Sequence, residues 1–141
     1  MKFSNIEDRV INAYSNANYR VIADKPFDIR IGEKSEFLRD YCFKQNYHSA
    51  VFVTGYNPFS KILGERSNVL AHNKLKRILN CMGINFILCI AADPAKIWPN
   101  EVGVLALDID LQLAKDIGIK FKQNAIVWIP NSWVPRIELL R

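Results

Sequence analysis

Two apolar runs, each halted by a proline, constrain this chain more than anything else in it. Ala50-Val51-Phe52-Val53-Thr54-Gly55-Tyr56 stops at Asn57-Pro58, and the run over residues 84–91 stops at Asp93-Pro94. Proline has no N–H to give a sheet ladder and cannot continue a helix, so each run reads as a strand with a fixed exit. The first is expected to be central. The second lacks polar alternation, which predicts burial on both faces. Between them, over residues 65–81, Leu75, Ile78, Leu79 and then Met82 keep helical spacing, and Gly83 is placed to end that helix in a left-handed conformation.

The flanks fill out the architecture. Ser4 and Glu7 have capping-box spacing, and Ile6, Val10, Ala13 and Tyr14 recur at helical intervals, predicting a first helix over residues 6–16. Residues 19–22 and 27–31 are short β-favouring runs on either side of Asp24-Lys25-Pro26, a hairpin-like pair. Ser35 can cap a helix to about residue 44 that buries Phe37, Leu38, Tyr41 and Cys42. A loop over 95–100 leads to a strand at 102–107. Asp108 or Asp110 can cap a helix to about residue 120, with Leu111, Ala114, Ile117 and Phe121 inside. Residues 125–129 and 136–140 supply the last two strands around the 130–135 turn. Paired strands at both ends with helices between predict a single α+β domain over residues 1–141, one mixed or antiparallel sheet backed by about four helices.

At 141 residues the chain is long enough to bury a core without metal or disulfide. Its cysteines, Cys42, Cys81 and Cys89, form no C-x-x-C pair and have no histidine at matching spacing, which argues against structural zinc. All three sit among apolar neighbours and read as small buried hydrophobes in a reducing compartment. The first residues carry no signal-peptide core, and the longest apolar run, 86–92, is far short of the ~20 residues that span a bilayer. A cytoplasmic location without a membrane partner is therefore expected.

Charge is uneven. The net charge is +5 and the pI about 9.2. Residues 61–80 hold Lys61, Arg66, Lys74, Lys76 and Arg77 against Glu65 alone, five cations to one anion and so a local excess of four. With Lys74 and Arg77 opposite Leu75 and Leu79, these form a basic patch suited to phosphates or to an acidic protein. Aromatic residues do not interleave with the cations, which counts against a stacking platform for single strands.

Catalytic signals are sparse. His48 precedes a strand in a polar loop; His72 follows Asn68 by four residues and shares its helix face. No G-x-S-x-G elbow or glycine-rich phosphate loop is present, and Ser60 has no base near it in sequence. Asp93 with Glu101, or Asp108 with Asp110, could pair carboxylates, although helix capping accounts for the second pair. No cofactor, metal ligand set or catalytic group is signalled.

Asn57-Pro58-Phe59-Ser60, Asn68 and His72, Leu75, Leu79 and Gly83, then Trp98-Pro99-Asn100-Glu101 and Phe121-Lys122-Gln123-Asn124-Ala125-Ile126-Val127-Trp128, follow in an order that resembles a bacterial family known as domain of unknown function 3293. The similarity runs from about Tyr19 to the C-terminus and leaves out the first helix. Two positions depart from it: an acidic residue is expected where Asn100 stands, and glycine where Lys122 stands. The resemblance implies a small bacterial cytoplasmic protein and brings no activity with it. It does single out Asn57, Ser60, Asn68, His72, Glu101, Gln123 and Asn124, polar residues at strand ends, loops or a helix start. Such amides can fix loop backbone; should they converge, they make a site fitted to recognising a polar ligand.

The expected function is a non-catalytic binding or inhibitory module, of the immunity type that neutralises a toxin, presenting the basic patch and loop anchors such as Tyr56, Phe59, Trp98 or Trp133 to a protein partner. The alternatives are recognition of a nucleotide or nucleic acid and, last, a hydrolase using His72 with Glu101.

Overall fold

In a computed structural model, which describes residues 6–141, one seven-stranded sheet carries four helices. The elements in chain order are α1 (Asp8–Asn16), β1 (Asn18–Val21), β2 (Phe27–Ile29), α2 (Glu36–Lys44), β3 (Ala50–Thr54), α3 (Glu65–Cys81), β4 (Phe86–Ala92), β5 (Glu101–Leu107), α4 (Leu111–Lys120), β6 (Ala125–Ile129) and β7 (Arg136–Leu139). The strand order is β2-β1-β4-β5-β3-β6-β7, and every neighbouring pair is antiparallel. The sheet is curled, and the α+β class expected from the element order holds.

Alternation along the strands divides the apolar residues between two cores. On one face, Tyr19, Phe52, Cys89, Leu105 and Val127 pack with Leu38 and Cys42 of α2 and with Trp133. On the other, Val51, Val53, Val104, Ala106 and Ile126 meet Leu75 and Leu79 of α3 and Ala114 and Ile117 of α4. Both middle caps form as the sequence predicts: Ser35 Oγ accepts from the Leu38 N–H at 3.2 Å, and Asp110, rather than Asp108, accepts from the Leu113 N–H at 2.8 Å. Asp108 instead takes a left-handed turn, and its carboxylate accepts from the His48 N–H. Gly83 has φ +71° where α3 ends. The Ser4 half of the expected capping box lies outside the described residues; Glu7 stands at the N-cap of α1.

Four expectations fail in ways that bear on function. β4 is not buried on both faces: Leu88 is 39 % exposed. Its neighbours explain this, because α3 and α4 lie over β3, β5 and β6, while the strand on β4's other side shows Arg20 paired with Asp28 on that face. Phe37 of α2 is exposed and stacks on Phe27 outside the core. Met82 and Cys81 face outward at the end of α3, so only Cys42 and Cys89 are buried thiols. Trp133 is buried in the first core and offers no anchor to a partner.

Candidate functional site

The chain leaving β3 turns through three non-glycine residues with positive φ: Asn57 (49°), Phe59 (53°) and Ser60 (60°). Left-handed backbone is unfavourable for residues with a Cβ and persists only where surroundings enforce it. Here the predicted polar residues supply that enforcement. Asn57 Oδ1 accepts from Asn68 Nδ2 (2.9 Å) and from the Leu63 N–H (3.0 Å), while the Asn57 N–H donates to Asn68 Oδ1 (2.9 Å). Gln123 Nε2 donates to the Tyr56 carbonyl at 3.0 Å, and Asn124 Nδ2 to Ser60 Oγ at 2.8 Å. The Phe59 N–H reaches the Lys122 carbonyl at 2.7 Å, and the Arg141 guanidinium lies 4.4 Å from the centre of the Phe59 ring. Lys122 itself has φ 55°, which explains why glycine is the expected residue there.

One face of this braced turn is the wall of a cleft. Val10, Ala13, Tyr14 and Ala17 from α1, Tyr19 from β1, Ala91 and Ala92 from β4, and Trp98, Pro99 and Glu101 complete it with Asn57, Ser60, Ile62 and Asp93. The cavity within it has a volume of about 60 Å³. Glu101, the first residue of β5, lies opposite Ala91 of β4, and strand alternation puts it on the face of Gly103 and Leu105. Gly103 is required below it: a Cβ there would stand 2.5 Å from the Val53 carbonyl oxygen and 2.8 Å from the Phe52 ring. Phe52 in turn packs on Tyr19, ring centres 5.0 Å apart, and the Tyr19 hydroxyl donates to the Tyr14 carbonyl at 2.7 Å, which pins the end of α1 to the sheet.

Glu101 is the chemical centre of the cleft. Its Oε2 accepts from Asn57 Nδ2 at 2.8 Å, and among the described residues its other oxygen has no hydrogen-bond partner. Burial pushes its carboxyl up to about 7 against the opposing effect of the Asn57 hydrogen bond, so near neutrality it holds its proton about half of the time. Tyr14 is pushed up to about 12, first by burial and then by the negative charge of Glu101, with a hydrogen bond to Ser60 working the other way; it remains a neutral phenol. Asp93 is the opposite case. Its carboxylate accepts from the N–H groups of Trp98, Ala95 and Ile97 at 2.9–3.0 Å, which hold it below the usual carboxylate range and fix the loop that carries Trp98.

The seven polar residues thus gather around one turn in two groups. Asn57, Ser60 and Glu101 line the cleft. Asn68, His72, Gln123 and Asn124 are buried behind the turn, and the three amides among them hold its backbone or its side chains. His72 stands edge-on to Tyr56, ring centres 6.3 Å apart, with Nδ1 buried and unpartnered; burial, then Lys76, keeps its pKa low. It is not among the cleft residues, so the expected His72–Glu101 pair is not assembled there. Lys61, Arg66, Lys74 and Arg77 are exposed, and with the half-buried Lys76 none makes an ion pair among the described residues. His48 is exposed before the start of β3, at the opposite end of that strand from the turn.

Sequence reasoning missed the α1 wall. Tyr14 read as one more residue of an apolar stripe; its polar tip near the end of the helix was the available signal. Among the described residues, no group of His, Cys, Asp or Glu could hold a metal ion and no helix is long and apolar enough to cross a membrane.

A family model described as "Protein of unknown function (DUF3293)" matches residues 53–126, a narrower span than the expected one from about Tyr19 onward. That span contains the braced turn, α3, the Trp98 loop and Glu101, and leaves out α1. No curated protein and no solved structure gives a significant match.

Proposed function

The chain belongs to the DUF3293 family of proteins of unknown function, and from that premise, which brings no activity, we propose that it is a non-catalytic binding module whose ligand enters the Glu101 cleft. The observation that carries this reading is the state of Glu101: one carboxyl oxygen anchored by Asn57, the other unpartnered, in a cleft walled by alanines and aromatic rings. A carboxyl raised by burial beside fixed polar groups in a concave site is the usual mark of a functional position. Binding is favoured over turnover because Ser60 Oγ already accepts from Asn124 and the nearest imidazole turns to Tyr56. The strained turn supports the same reading, since three buried amides, Asn68, Gln123 and Asn124, hold it against the cleft.

Backbone and side-chain NMR of the protein with a library of small polar fragments tests this. Shifts clustered at Tyr14, Ala91, the Trp98 indole and Glu101 are expected. Binders that perturb only other surfaces, or a cleft silent to every fragment at millimolar concentration, would overturn the reading.

A second reading attaches to α3, whose unpaired cations favour an acidic protein partner, in the manner of an immunity protein that neutralises a toxin. Reversing charge at Lys74 and Arg77 should then slow association with such a partner at least tenfold, with a smaller effect on dissociation. Capture of RNA or DNA, lost steeply with added salt, would instead assign the patch to nucleic acid.

A further inference from the structure

The cleft is acidic in a basic protein. Net charge is +5, yet the described residues lining the cleft include two acidic ones, Asp93 and Glu101, and no Lys, Arg or His. Arg9 approaches its wall, the guanidinium 5.6 Å from the centre of the Trp98 ring, but is already paired with Glu7 at 2.6 Å. Glu101 makes no ion pair among the described residues. A half-buried carboxylate without a cation is costly, and a ligand that brings one removes that cost.

We propose that the cleft takes a small organic cation: a protonated primary amine on a short apolar body, its ammonium on the free oxygen of Glu101. This rests on the cleft being a binding site. An ammonium has three N–H donors and accepts nothing. Three oxygen acceptors belong to residues lining the cleft: the free Glu101 oxygen and the Ser60 and Tyr14 hydroxyls, which share one hydrogen bond between them. Ala13, Ala17, Ala91 and Ala92 leave room for methylenes, and the rings of Tyr14 and Trp98 give a cation π-faces. The small interior suits a short body rather than a long one. An anion would meet the Glu101 carboxyl, and a neutral molecule would leave Glu101 without its counter-charge.

The groups facing Glu101 set the pH response. Tyr14 and Tyr19 are neutral phenols, and Asp93 stays ionised, so Glu101 is the group that changes state between pH 5 and 8. Amine binding should take it to the carboxylate and release a proton near neutrality.

The test titrates the full chain with n-butylammonium chloride, n-butanol and sodium butyrate, following Tyr14 and the Trp98 indole by NMR. At pH 8, n-butylammonium should bind at least tenfold more tightly than n-butanol, with butyrate weakest. From pH 8 to 5.5 its affinity should fall about 30-fold, as expected for a carboxyl titrating near 7, while that of n-butanol stays constant. Glu101→Gln should abolish the preference for the amine over n-butanol; should that variant not fold, the pH dependence of the wild type still decides. Binding of n-butanol as tight as the amine, or amine affinity indifferent to pH or to Glu101→Gln, overturns the cation and leaves the cleft standing. Silence of the cleft toward all three probes at millimolar concentration overturns the cation, and with the fragment library also silent it removes the cleft.

Discussion

The two halves of the sheet are built differently. β3, β5 and β6 are covered on both faces, by α2 and its neighbours on one side and by α3 and α4 on the other, and their residues are almost all buried. β1, β2 and β4 beyond Phe86 are covered on one face only; the other shows Arg20, Asp28 and Leu88 to solvent. The cleft opens at the seam, where Glu101 begins β5 beside Ala91 of β4 and α1 closes over both. The sealed half can hold strained backbone and a desolvated carboxyl because its packing is rigid, and the open half gives access to them. Stability and recognition are thus divided between regions that share one ladder.

Breaking the comparison at its strongest point means removing the same side chain from each half. Leu79→Ala in α3 creates a cavity in the sealed core and should cost about 2–5 kcal/mol. Leu88→Ala on the uncovered face of β4 should cost under about 1 kcal/mol, since much of that side chain is already in water. Urea unfolding of both variants checks this; equal losses would mean that β4 is covered after all.

The cleft itself gives a pH signature. Burial raises the Glu101 pKa from 4.5 unfolded to about 7 folded, so the folded state favours the protonated form. Its contribution is full below about pH 4.5 and is lost as pH rises through 7, because the unfolded chain releases its proton first. The loss is at most on the order of 3 kcal/mol. Glu101→Gln should flatten that part of the profile and leave the protein more stable than wild type at pH 8, measured by denaturant unfolding across pH 4–8.

The smallest expected effect is at the turn behind the cleft. Lys122 holds a left-handed backbone with its side chain exposed. Lys122→Gly relieves that conformation, against the added freedom of glycine in the unfolded chain, for a net gain of up to about 1 kcal/mol. A measurable loss of thermal stability would show that the lysine makes a contact worth more than the strain.

Much of the fold was legible because its signals are local. Ser35 and Asp110 cap helices through residues three positions on, Gly83 ends a helix by its own φ, and Asn57-Pro58 and Asp93-Pro94 stop strands without reference to anything distant. The failures share the opposite cause. Whether β4 has one or two buried faces depends on where α3 and α4 lie across the sheet, which no window around residues 84–91 contains. The site was half legible: the polar residues do surround one turn, yet nothing in the sequence separates Glu101, which looks into the cleft, from Asn68 and Gln123, which brace it. Tyr14 was invisible as a wall because α1 meets the Trp98 loop only after the chain has folded back over more than eighty positions.

The account turns on the Glu101 carboxyl being desolvated, anchored by Asn57 and open to a ligand on its other oxygen. A ¹³C NMR titration of that carboxyl in the ligand-free protein tests this most directly. It should titrate near pH 7, with the Tyr14 ring and Trp98 indole signals moving at the same midpoint. A midpoint near 4.5, with Tyr14 and Trp98 unresponsive, would mean that the carboxyl is simply in water and would contradict the account.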